Sequence, residues 1–161
     1  MAGTRITIQI DDAALRASLS KLAAAVGDPA PALREIGEHL LKTTRARFGR
    51  GEKRAPDGTP WARNTATTIA RKGRDNPLYQ SGMLQGQMRW QLADNGRAVE
   101  VGSNRIYAAV QQFGQPKGAS GTTKRGGPIP WGDIPPRPPL GLSADDREAT
   151  ADIVADHLAG R

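Results

Sequence analysis

Few residues in this chain could do chemistry, and their spacing argues against most of it. The two histidines are His39 and His157. Glu35 lies four residues before His39, so on a helix the two would share a face. One carboxylate and one imidazole do not make a zinc site, which takes three or four ligands. Both histidines fall on expected helices and read as surface or boundary residues. The pairs Asp11-Asp12 and Asp145-Asp146 stand at expected helix starts, where capping and compensation of the helix dipole explain them. The stretch KGASGTTKRGG, residues 117–127, is rich in glycine but contains no G-x-x-x-x-G-K-[ST] element, so it is a poor phosphate cradle. With no cysteine, disulfides and thiolate metal sites are excluded. These residues point to no catalytic, metal or cofactor site, and the expectation is a protein that is not an enzyme and uses no cofactor.

The bulk composition supports a different kind of role. The 161 residues suggest one domain, but only 37% are hydrophobic and 4% aromatic, so the core should be modest. The 19 Gly and 12 Pro imply long loops. Net charge is +7, which favours anionic partners such as nucleic acid or acidic protein surfaces. The charge is uneven. Residues 42–74 hold ten Lys or Arg against Glu52 and Asp57, a net of +8, while residues 141–161 hold five acidic and two basic residues, a net of −3. Opposite patches on one small body suit head-to-tail association. The first residues lack the apolar stretch of a signal peptide, and no run reaches the length of a membrane span. The expectation is a soluble protein made in the host cytoplasm, with no membrane partner.

The elements that would position any site can be read in order. Residues 4–10, TRITIQI, alternate as a strand does. Leu15, Leu19, Leu22 and Val26 recur at helical steps and end near Gly27. A second amphipathic helix carries Leu33, Ile36, Leu40, Leu41, Thr44 and Phe48. The turn DGTPW, residues 57–61, follows, and residues 64–72 suit a short helix. Residues 88–92 and 98–101 flank Asp94-Asn95-Gly96, a strong hairpin signal. Residues 106–113 suit a short helix, and residues 114–130 read as a flexible insertion loop. Ser143 begins a last helix, 143–161, with Asp146 as an imperfect capping box and Ile153, Val154 and Leu158 as its apolar stripe. A further short strand is expected near residues 138–141. The expected fold is α+β, a small antiparallel sheet of three to four strands packed with two to three helices in a single domain over residues 1–161.

Sequence-specific DNA reading finds no helix-turn-helix, zinc-finger or RNA-recognition signature. Non-specific phosphate contact stays open, although Phe48 and Trp61 are the only aromatics within the basic segment. A nuclease would need a metal-binding carboxylate cluster that the sequence lacks.

Five pieces then occur in a telling order: D-G-T-P-W, L-Y-Q-S-G-M-L, V-G-S-N, Y-A-A-V-Q-Q-F-G and I-P-P-R-P-P-L-G-L-S. The series resembles the phage virion morphogenesis family, tail-completion proteins of tailed phages and prophages including Mu-like ones. Two positions depart from the family pattern: Gln111 stands where His is common, and Pro139 replaces an aromatic before Leu140. The resemblance implies a structural virion protein of the neck or upper tail. It would complete or terminate the tail and join it to the head within a ring-shaped, hexameric connector. Its implied partners are copies of itself, the head-connector (stopper or adaptor) proteins and the tail-tube protein, with passing contact with genomic DNA. The alternative is a basic, non-specific nucleic-acid-binding accessory protein of the same element. Residues expected at a subunit or partner interface are Trp61, Lys117, Lys124, Arg125, Trp131 and Arg137. Trp61 would pin its loop to the sheet or to a neighbour, and Arg137 would either pair with a carboxylate or lie exposed. Asp57, Gly58, Gly82, Leu84, Tyr107, Phe113, Gly114, Leu140 and Gly141 are expected to be structural, with Tyr107, Phe113 and Gly114 closing their helix against the core. The 114–130 loop is expected to reach a neighbouring subunit or ring in preference to the DNA channel.

Overall fold

A computed structural model describes residues 13–48 and 51–160. The expected first strand and Asp11-Asp12 lie outside that range. Helix α1 (Ala13–Val26) ends at Gly27, whose φ of +71° suits a residue without a Cβ. Helix α2 (Ala30–Ala46) starts after Asp28, whose carboxylate accepts from the Ala30 N–H at 3.0 Å. Short helices α3 (Ala66–Lys72) and α4 (Met83–Gly86) lead into strands β1 (Met88–Ala93) and β2 (Ala98–Ser103). Helix α5 (Ala108–Phe113) and the long α6 (Ala144–Leu158) complete the order.

The strands pair antiparallel with Met88 opposite Ser103 and Ala93 opposite Ala98. They turn through Asp94, Asn95 and Gly96, all at positive φ. The α+β class is as expected. Among the described residues the sheet has two strands, and residues 138–141 run extended without joining it. Pro138 and Pro139 have no N–H to give a ladder.

Helix α2 is the centre of the packing. It contacts both strands and α6, and α1 packs on α6. Leu33 and Ile36 join Leu22 and Val154 in one core cluster, while Leu41 and Phe48 join Trp61, Leu84, Met88 and Leu140 in another. The hairpin spans both: Trp90 and Val101 pack on the second cluster, Leu92 and Val99 on the first. The two-residue period of a strand puts all four on one face, and the division runs along the length of the hairpin. Gly37 permits the approach, since a Cβ there would lie 2.7 Å from the Trp90 ring.

The body is locked by buried polar groups. Arg47, just past the end of α2, is 4% exposed. Its Nη2 donates to Asp146 Oδ2 at 2.7 Å, and its Nη1 donates to the Pro139 and Gly141 carbonyls at 2.8 and 3.4 Å. Asp146 is fully buried and also closes the capping box of α6. Its carboxylate accepts from the Ser143 N–H, and the Ser143 hydroxyl accepts from the Asp146 N–H. Burial pushes the Asp146 carboxyl up, but hydrogen bonds from Ser143 and Thr43 and the Arg47 charge outweigh it and hold the carboxyl below its ordinary value.

The proline-rich segment is held in the same way. Trp61 Nε1 donates to the Pro138 carbonyl at 3.1 Å. Gln112 clamps Leu140 through both its N–H and C=O, at 3.2 and 3.1 Å. Arg137 donates from Nε to the Ala62 carbonyl and from Nη2 to the Arg63 carbonyl, at 2.7 and 2.9 Å. A segment poor in donors is thus fixed by donors from Arg47, Trp61 and Gln112, and by its own Arg137 reaching outward.

Replacing Arg47 with Met leaves the Asp146 charge buried without its partner, and chemical denaturation should show a loss of about 3–5 kcal/mol. Because the Asp146 carboxyl is depressed in the folded protein, its stabilisation is present above the ordinary carboxylate pKa and is lost as pH falls through the lower folded value. Acid titration of stability should therefore be shallower in Asp146→Asn than in the parent protein.

Candidate interaction surface

The DGTPW turn is built locally. Asp57 accepts from the Thr59 N–H at 2.9 Å, Gly58 takes φ +86°, and the Trp61 N–H closes the loop onto the Lys53 carbonyl. Trp61 is 6% exposed and meets Phe48 edge to face, with ring centroids 5.6 Å apart. It is a core anchor. Arg137 is also buried, and its direct partners are carbonyl oxygens rather than a carboxylate. Neither side chain presents surface to a partner, which corrects both interface expectations.

Helix α5 reverses another expectation. Ala108 and Gln112 face inward, whereas Tyr107 is exposed and Phe113 is 63% exposed. Gln112 is needed inside because it alone supplies both a donor and an acceptor to Leu140. Ile106 precedes the helix and is exposed as well. Gly114 ends the helix at φ +75°, where a Cβ would come within 2.7 Å of the Ile134 carbonyl oxygen.

From Gly114 the chain leaves as a paired arm, where an open loop was expected. Gln115 and Ile134 exchange both backbone hydrogen bonds at its base, at 2.8 and 2.7 Å. Gly118 donates to Pro130, Ser120 to Ile129, Ile129 to Gly121 and Thr123 to Gly127. Pro130 uses its carbonyl in this ladder and Pro128 stands at a non-hydrogen-bonded position opposite Thr122, so the prolines do not break it. Lys124 and Arg125 are exposed at the turn between Thr123 and Gly126. Lys117 is exposed, and its N–H donates to Asp133 at 2.8 Å. Trp131 is 73% exposed, and its ring covers Gly127, where a Cβ would lie 2.7 Å from it. The structure therefore brings Lys117, Lys124, Arg125 and Trp131 together on one arm. It adds Ile106, Tyr107, Phe113 and Ile129 as exposed apolar groups that the sequence reading did not assign to a surface.

Glu35 and His39 do not act as a pair, because each reaches separately to α6. His157 Nε2 lies 3.1 Å from Glu35, and His39 Nε2 lies 3.2 Å from Asp146 Oδ1, too poorly aligned for a hydrogen bond. Among the described residues no group of three His, Asp or Glu is placed to hold a metal ion. A polar cleft of about 470 Å³ lies beside the L-Y-Q-S-G motif, lined by Arg74, Asn76, Tyr79, Gln80, Ser81, Gln85 and Phe48. Asn76 is buried there, and its Oδ1 has no partner. At the cleft's edge, burial and the charges of Arg74, Arg137 and Arg71 pull the Lys72 ammonium below its ordinary value. No helix among the described residues is long and apolar enough to cross a membrane.

Large exposed apolar groups contribute little to a single chain's stability. Phe113→Ala and Trp131→Ala should each change the unfolding free energy by less than about 0.5 kcal/mol. Leu84→Ala, in the buried cluster, should cost about 2–5 kcal/mol in the same denaturation assay.

No curated protein and no solved structure matches the chain. The sequence profile of the phage virion morphogenesis family matches residues 10–159. That span takes in the buried proline strut, the exposed arm and every motif on which the resemblance rested, and the chain is a member of the phage virion morphogenesis family.

Proposed function

We propose that this protein is a structural component of the phage neck, which completes or terminates the tail and joins it to the head as part of a ring-shaped connector. Membership of the family supports a role in building the virion. The observation that carries the finer reading is the placement of the large apolar side chains. A protein with so few aromatics leaves Tyr107, Phe113 and Trp131 exposed on α5 and the arm, while Gln112, Arg47 and Asp146 are buried. We read this exposed apolar surface as an interface with other proteins. An arm that docks on a neighbour and a body with fixed polar struts suit repeated head-to-tail contacts that close into a ring. A hexamer would match the symmetry expected of a tail, and the partners would be the tail-tube protein and the head-connector proteins. No reaction is assigned to the chain.

A second reading rests on the cations. Lys124 and Arg125 at the arm's tip, with the cluster around Lys72, could contact DNA phosphates without sequence preference. The two readings separate on one variant. Deleting residues 118–127 removes the arm's outer half and leaves the Gln115–Ile134 pair at its base. On the neck reading, light scattering should show loss of rings, whether they form alone or with tail-tube and head-connector proteins. Intact rings with weaker, salt-sensitive DNA binding would favour the second reading.

A further inference from the structure

Among the described residues, two exposed surfaces of opposite charge stand apart on the chain. On α6, Asp145, Glu148, Asp152 and Asp156 follow at steps of three, four and four, and all are exposed. Steps of that kind place the four carboxylates on one stripe about 16 Å long. The buried face of α6 is made by Asp146, Thr150 and Val154, so the stripe points away from the body. None of the four has an ion-pair or hydrogen-bond partner among the described residues.

The opposite charge gathers at the end of α3. Arg71, Lys72 and Arg74 lie there, close enough to Arg137 that these charges disfavour the Lys72 ammonium. Asp75 is the nearby carboxylate, and it is already engaged by Arg63 at 2.6 Å and by Asn64. The cluster borders the polar cleft through Arg74.

We infer that the cationic end of α3, with the cleft beside it, receives the acidic stripe of α6 from a second copy of the chain. This rests on the ring reading and names the contact between neighbours. A positive patch and a negative stripe on the same molecule form a heterologous interface, the kind that generates rings. Complementary charge fixes the register of such a contact and raises its rate of formation. Nucleic acid is the poorer occupant. Of the two aromatics lining the cleft, Phe48 is buried and Tyr79 has Arg74 over its ring at 6.0 Å, a poor platform for stacking bases.

Charge reversal tests the contact in the full-length chain. Arg71→Glu with Arg74→Glu makes one double variant, and Asp152→Lys with Asp156→Lys makes the other. All four side chains are exposed, so circular dichroism and melting should show both variants folded. Measured by light scattering, with tail-tube and head-connector proteins if the parent needs them, each double variant should associate at least about tenfold more weakly than the parent. Mixing the two in equal amounts should restore assembly, because each reversed patch then meets a reversed stripe. Parent-like assembly by either double variant overturns the inference and leaves the ring reading intact. So does a folded mixture that stays monomeric. If Arg71→Glu with Arg74→Glu loses only DNA binding, the patch serves phosphates instead. A parent that never assembles, alone or with those partners, removes the ring reading and this inference together.

Discussion

The fold depends on one buried guanidinium. Arg47 ends the central helix, bonds the carboxylate that caps the last helix, and binds two carbonyls of the proline-rich segment between them. Each of those groups would be costly to bury alone. Together they join three parts of the chain separated by about a hundred residues in sequence. With a small aromatic content, the protein cannot rely on apolar area alone to fix the relative placement of its helices. A satisfied polar network does that part of the work, and it specifies geometry more narrowly than apolar contact does.

The same economy accounts for what lies outside. The polar struts occupy interior positions, so several large apolar side chains stand at the surface on α5 and the arm. The arm's pairing is almost wholly its own, with backbone hydrogen bonds running from one of its strands to the other. It is therefore a preformed element that needs little ordering to dock, which lowers the entropic cost of association. Family membership and an apolar, cationic arm are consistent with a building block of the virion.

Much of the framework was legible in the sequence, because it depends on local rules. The step pattern of Leu33, Ile36, Leu40 and Leu41 marked α2, and Asn95-Gly96 marked the hairpin. Ser143 with Asp146 marked the start of α6, although its capping box is complete where an imperfect one was expected. The polar interior was not legible. No local pattern says that Arg47 will meet Asp146, since the contact exists only after three segments converge. Residue polarity even misleads at α5, where Gln112 is inside and Phe113 outside. Residues 114–130 read as an open loop because glycine and proline signal turns, but those residues leave enough N–H groups at alternate places to pair the arm. For Trp61 the sequence left packing on the sheet and contact with a neighbour both open, and for Arg137 a carboxylate pair or exposure, while their fate was set by the carbonyls they had to satisfy.

The central claim is that the arm and the outer face of α5 are where this protein meets its neighbours. Amide hydrogen exchange would test it most directly, comparing the free chain with the chain assembled with the tail-tube and head-connector proteins. The account predicts new protection over residues 106–113 and 115–134, with little change around Arg47 and Trp61, which are already buried. Assembly that protects other surfaces and leaves the arm and α5 exchanging as in the free chain would contradict it.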